Sequence, residues 1–130
     1  MRKISVLLAN HSRLMRELLS ALLSDQPDVA IVGAISADEP IAMQVAKTNP
    51  DFVIVDLEHA TAVSGQLLQE FQHLKVIAIP ANKEGSKLYW TDGQIHWRKL
   101  ATSVDGILQI LREWREDSHR RATTGLQKAS

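Results

Sequence analysis

The sequence predicts an α/β fold in which helices cover both faces of a mainly parallel sheet, and three observations carry that prediction. Phe52-Val53-Ile54-Val55 is a continuous apolar run delivered into Asp56, and such a run bounded by polar turn residues reads as a strand buried on both faces. Apolar runs then alternate with segments of helical period in the order β-α-β-α-β-α-β, which implies parallel strands joined by crossovers. The alternation stops after Ile79, where Asp92-Gly93 between two alternating arms signals a hairpin in place of the next helix.

The elements follow in order. Ile4-Ser5-Val6-Leu7-Leu8-Ala9 is a first buried strand, stopped by Asn10-His11-Ser12, whose short polar side chains favour turns and caps. Leu14, Leu18, Ala21 and Leu22 recur at helical spacing up to Ser24, and Asp25-Gln26-Pro27-Asp28 is a turn before a second strand over Val29–Ile35. Ser36 to Glu39 with Pro40 in the first turn opens a second helix, with Ile41, Ala42, Val45 and Ala46 as its apolar face. It ends at Asn49-Pro50, because the residue before a proline is pushed out of the helical region. Asp56 then sits at the carboxyl end of a central strand, the edge where ligands gather in open α/β sheets. Leu57 to Ser64 reads as a loop; Leu67, Leu68, Phe71 and Leu74 give a short third helix; and Lys75–Ile79 is the fourth strand, closed by Pro80.

Taking Asp92-Gly93 as a two-residue loop pairs Trp90 with Ile95 and Leu88 with Trp97 on an apolar face. Tyr89 with His96, Thr91 with Gln94 and Lys87 with Arg98 fall on the other, polar face. The expectation is that Trp90 and Trp97 pack against the first or last helix, while Tyr89, His96 and Arg98 lie uncovered and the Leu88 arm forms a new sheet edge. Thr102 or Ser103 caps a last helix with Val104, Ile107, Leu108, Leu111 and Trp114 in one stripe. Residues 1–117 then form the domain, and 118–130 a flexible tail without apolar period.

Composition narrows the function. The 15 basic and 15 acidic residues balance, so no net field argues for nucleic acid or a membrane surface as partner. Without cysteine there is no disulfide framework and no thiolate nucleophile. The apolar run after Met1-Arg2-Lys3 is too short for a signal peptide or a membrane span, so a cytoplasmic protein is expected. No P-loop, dinucleotide fingerprint or HExxH pattern is present.

Several of these pieces together resemble the response-regulator receiver domain of two-component signalling. They are Ile4-Ser5-Val6-Leu7-Leu8-Ala9-Asn10-His11 followed by Leu14-Met15-Arg16-Glu17-Leu18-Leu19, Pro27-Asp28-Val29 leading to Val32-Gly33-Ala34, and Asn49-Pro50-Asp51-Phe52-Val53-Ile54-Val55-Asp56. The resemblance covers residues 3 to about 79 and the last helix. It implies a flavodoxin-like (βα)5 three-layer sandwich with parallel sheet order 2-1-3-4-5, here with the fourth helix shortened or replaced by an antiparallel hairpin strand within residues 87–98.

In that family an aspartate at the end of the third strand accepts a phosphoryl group, and Mg²⁺ bridges it to an acidic pair after the first strand. The resemblance places Asp56 at the acceptor position and the carbonyl of Glu58 at the usual backbone ligand. The acidic-pair positions hold Asn10 and His11. A carboxylate facing an anionic phosphoryl group needs a cation between them. Neutral Asn and a His nitrogen are poor partners for a hard cation that takes oxygen. The family's phosphate-binding hydroxyl falls on Pro80 or Ala81, neither of which can donate from its side chain. Its lysine falls on Lys99 if His96-Trp97-Arg98-Lys99 is laid on the aromatic-x-x-Lys run, and on Trp97 if the count runs forward from Asp92-Gly93. His11 and Asp56, with Glu58 or His59, are the candidate metal ligands; the nitrogen and carboxylate set would suit a borderline ion.

The reading is therefore an atypical, non-enzymatic receiver-like domain that acts through protein contact, needs no cofactor, and engages a partner or a second copy through the 87–98 hairpin. The alternative is a working receiver that phosphorylates Asp56 with Mg²⁺ at an unusual site.

Overall fold

The computed structural model describes residues 3–36, 40–80, 85–100, 103 and 105–114, with the backbone alone at 59–62. Six strands form one sheet: β1 (Ile4–Leu8), β2 (Val29–Ala34), β3 (Phe52–Asp56), β4 (Lys75–Ile79), β5 (Ser86–Thr91) and β6 (Ile95–Leu100). Their order is β2-β1-β3-β4-β5-β6. The first four are mutually parallel, whereas β5 runs antiparallel to β4 and β6 antiparallel to β5. This is the flavodoxin-like arrangement with a hairpin after β4, the expected substitution for a fourth helix.

Two apolar layers sandwich the sheet. On one face α1 (Arg13–Ser24) and α4 (residues 105–114) bury Leu19, Leu23, Ile107, Leu108 and Leu111 against Val6, Leu8, Ile54, Ile77 and Leu88. On the other, α2 (Ile41–Thr48) and α3 (Ala60–Glu70) bury Val45, Leu67 and Leu68 against Leu7, Val53, Val55, Val76 and Tyr89. The alternation of Val53 and Ile54 between the layers is the two-residue period of a strand covered on both sides.

Local chemistry sets the element ends. Ser12 caps α1 by accepting from the Met15 N–H at 3.2 Å. Asn49 closes α2 in the left-handed region at φ 48°, donating its N–H to the Val45 carbonyl. Of the two candidate caps for α4, Ser103 serves: its hydroxyl accepts from the Gly106 N–H at 3.0 Å.

Four expectations are corrected. The stripe Leu14, Leu18, Ala21, Leu22 is not the buried face of α1: Leu14 is 75% and Leu18 51% exposed, while Leu19 and Leu23 point inward. Helix α1 carries two apolar stripes, and the sheet selects the one through Met15, Leu19 and Leu23. The segment after Asp56 is not a long loop, since a single 3₁₀ turn (Leu57–His59) leads directly into α3 at Ala60.

The third correction is the hairpin register. Thr91 pairs with Ile95, Trp90 with His96, Tyr89 with Trp97 and Leu88 with Arg98. Gln94 belongs to a three-residue loop in which Gly93 takes φ 111°, Thr91 Oγ1 accepts from the Gly93 N–H, and Asp92 Oδ1 accepts from the Gln94 N–H. A one-residue slip turns every β6 side chain over. Trp97, expected in the core, is 52% exposed with the Lys87 ammonium 4.5 Å from its ring centroid. Trp90 alone packs on α4, its ring centroid 4.9 Å from that of Trp114.

The fourth concerns the sheet edge and the grouping of Tyr89, His96 and Arg98. The Leu88 arm pairs with β4, so β6 is the edge. Tyr89 is buried toward α2 and α3. His96 and Arg98 lie on the opposite, α4 side, where His96 stacks on Trp90 and Arg98 reaches Glu113 at 3.0 Å. The 118–130 tail lies outside the described residues.

Candidate functional site

The carboxyl ends of β1 and β3 place Asn10, His11 and Asp56 together. The Ala9 N–H donates to the Ile54 carbonyl at 2.9 Å, which carries the β1–β3 ladder past the end of β1 and sets the next residue beside Asp56. Asp56 is half-buried and Asn10 wholly buried. The Asn10 side-chain amide donates to Asp56 Oδ1 at 3.1 Å, and the His11 backbone N–H donates to Asp56 Oδ2 at 2.8 Å. Each carboxylate oxygen thus accepts an N–H from the loop after β1, the segment that carries the acidic pair in the receiver family.

Arg16, one turn into α1, completes this loop. Its Nη1 donates to the carbonyl of Asn10 and, at 2.9 Å, to the carbonyl of His11. The guanidinium is a positive charge held on the loop that carries the acidic pair in the receiver family. It binds backbone oxygens and makes no bond to Asp56 in the described structure. Sequence reading missed Arg16; the available signal was a turn of three short polar residues whose carbonyls need donors, with a long basic side chain one helical turn later.

The residues fit Mg²⁺ poorly. A hard cation asks for six oxygen ligands, several of them anionic. Here a single carboxylate already accepts two N–H bonds, its neighbour is an amide, and His11 offers nitrogen. Asn10 Oδ1 is buried without a hydrogen-bond partner, and no group of three His, Cys, Asp or Glu suited to a metal occurs among the described residues. Glu58 follows, exposed, in the 3₁₀ turn, and the His59 side chain lies outside the described residues.

Two further positions can be located. Pro80 is buried at the end of β4, and Ala81 lies outside the described residues. Lys99 stands opposite Lys87, Lys87 opposite Ala78, and Ala78 opposite Val55. Lys99 is therefore three strand spacings, ~14 Å, from the acceptor strand, one more than the order 2-1-3-4-5 implies. Paired residues share a face, so Lys99 lies on the side of Val55, and the Asp56 side chain emerges on the other.

No family model matches the chain. The curated proteins to which it is similar include several named protein-glutamate methylesterase/protein-glutamine glutaminase. The one from Nitrosomonas europaea is 31% identical over 80 residues, covering 61% of this chain and 22% of the relative. That from Pseudomonas savastanoi pv. phaseolicola is 44% identical over 59 residues, 44% of this chain and 16% of the relative. A third, from Geobacter sulfurreducens, is 27% identical over 126 residues, 93% of this chain and 33% of the relative. The fold is receiver-like. The chain spans a third or less of the length of these relatives, and among its described residues no helix is long and apolar enough to cross a membrane.

Proposed function

We propose that this chain is a receiver-type signalling domain that works by protein contact in the cytoplasm and does not pass phosphoryl groups through Asp56. The observation that supports this reading is the engagement of both Asp56 oxygens by Asn10 and His11. A nucleophilic carboxylate must present a free oxygen to phosphorus with a cation to offset the repulsion. At this site the oxygens face amide donors, and the nearby positive charge is spent on loop carbonyls. The domain then needs no metal or other cofactor.

The relatives' names describe an esterase and a glutaminase, and the matched stretch is 22% of the length of the first of them. We read the present chain as a regulatory domain without hydrolytic activity of its own. Its altered region is the hairpin end, and there we place contact with a protein. Neither nucleic acid nor a membrane surface is proposed as a partner, in keeping with the balanced charge.

The deciding experiment is incubation with acetyl phosphate and Mg²⁺ followed by intact mass. The expected spectrum contains no phosphoryl adduct. A stoichiometric adduct that disappears in Asp56→Asn overturns the proposal in favour of a phospho-accepting receiver.

A further inference from the structure

Strand β6 ends the sheet, and among the described residues no strand lies on its outer side. Exposed edges pair with other strands unless charge or shape prevents it. Two of the large apolar side chains that the described structure leaves exposed, Ile95 at 44% and Trp97 at 52%, flank His96 on one face of this edge. Arg98 and Lys99 follow immediately.

We propose that a second copy of this chain adds to β6, antiparallel, about a two-fold axis through His96. In an isologous pair, each contact between two different residues occurs twice. Paired residues share a sheet face, so the axis of such a pair passes through a residue rather than between two. With the axis at His96, Ile95 opposes the partner's Trp97, and Trp97 opposes the partner's Ile95. Beyond these residues, Arg98 and Lys99 run alongside the partner's hairpin loop, which carries Asp92. The two apolar side chains cover each other, and no two fixed charges of like sign meet.

Neighbouring registers lack this match. An axis at Trp97 sets Arg98 against the partner's His96 and strands Ile95 opposite the partner's Lys99. An axis at Arg98 brings the two guanidinium groups together, a direct like-charge pair. Arg98 and Lys99 thus guard the edge and disfavour registers shifted toward its C-terminal end. The inference deepens the reading of the hairpin end as a contact surface by naming its partner. A strand pair of three residues, Ile95 to Trp97, buries less than the roughly 800 Å² per partner of a stable complex, so the dimer is weak.

The test is sedimentation velocity of the full chain over a concentration series, with hydrogen exchange of the β6 amides on the same samples. The wild type should shift toward dimer at concentrations on the order of 100 μM, with β6 protection rising in step. Trp97→Asp and Ile95→Asp, at sites exposed in the monomer, should keep the wild-type melting profile and weaken association at least ~10-fold. Gln94→Glu should tighten the dimer and Gln94→Lys loosen it, because this loop position lies alongside the partner's Arg98 and Lys99. A chain that stays monomeric throughout, a dimer unaffected by Trp97→Asp, or equal effects of the two Gln94 variants overturns the proposal. Capture by an acidic strand of another protein would appear as the first of these. Intact mass after acetyl phosphate is read on the same protein, so a monomer without adduct removes the pairing and leaves the reading of Asp56 in place.

Discussion

Asn10 and Asp56, 46 residues apart in the chain, are joined side chain to side chain at 3.1 Å. The amide occupies a position where a receiver holds a second acid, and it neutralises by hydrogen bonding what a metal would neutralise by charge. Replacing Asn10 by Asp should set two carboxylates against each other. Without metal, Asn10→Asp is expected to lose about 1–3 kcal/mol at pH 7. The double variant Asn10→Asp, His11→Asp should gain a melting temperature that rises with Mg²⁺, while the wild type shows no such dependence.

Arg16 binds two loop carbonyls through a single nitrogen. Arg16→Ala leaves both without that donor and is expected to cost about 1–2 kcal/mol in urea unfolding. Arg16→Lys should retain part of the stability, because one nitrogen makes both bonds. Complete loss in the lysine variant would mean that the planar guanidinium is required.

Arg112 on α4 donates through Nε and Nη2 to the two carboxylate oxygens of Asp28, at 2.8 and 3.0 Å, and through Nη2 to Gln26 Oε1 at 2.8 Å. The hydrogen bond to Asp28 raises the guanidinium pKa above its ordinary value. The sign of that shift puts its contribution at full strength below the unfolded value, to be lost only as pH climbs through the folded one. The cation is thus fixed throughout the working range. Arg112→Lys and Asp28→Asn should each lower the melting midpoint, and the double variant should fall little below the worse single one, as expected for direct partners.

Glycines supply a matched pair of tests. A Cβ on Gly33 would come within 2.9 Å of Leu7 Cδ1, at the register shift between Val6 and Leu7. Leu7 is fully buried, so Gly33→Ala should destabilise by about 1–3 kcal/mol. A Cβ on Gly65, inside α3, meets nothing within 4 Å. Gly65→Ala should stabilise by about 1 kcal/mol. Both are read by chemical denaturation.

The buried strands were legible because burial on both faces leaves a continuous apolar signature, as in Phe52–Val55. The hairpin was legible from Asp92-Gly93, but its register was not. Gln94 is compatible with either strand or loop, and the choice is made by side-chain bonds from Thr91 and Asp92 that spacing does not display. The inward face of α1 was equally hidden. Leu14 and Leu18 match a helical period as well as Leu19 and Leu23 do, and only the position of the helix on the sheet separates them. At the site, Asn10, His11 and Asp56 were legible as positions. The bonds among them, and the part played by Arg16, depend on how the loop turns.

The change of direction at β5 divides the molecule by the way its strands find one another. β1 and β3 meet only after the chain has bridged about the distance from Ser5 to Asp51, whose backbone groups are bonded at 2.8 Å, and closing such a span carries a substantial loop-closure entropy. Strands β5 and β6 meet across three residues, an event on the order of microseconds for an isolated hairpin. The hairpin can be waiting, fluctuating and unsupported, when the slower crossover half condenses and offers β4 as a template. During refolding of the full chain its aromatic arm would be an early surface open to capture by a second chain.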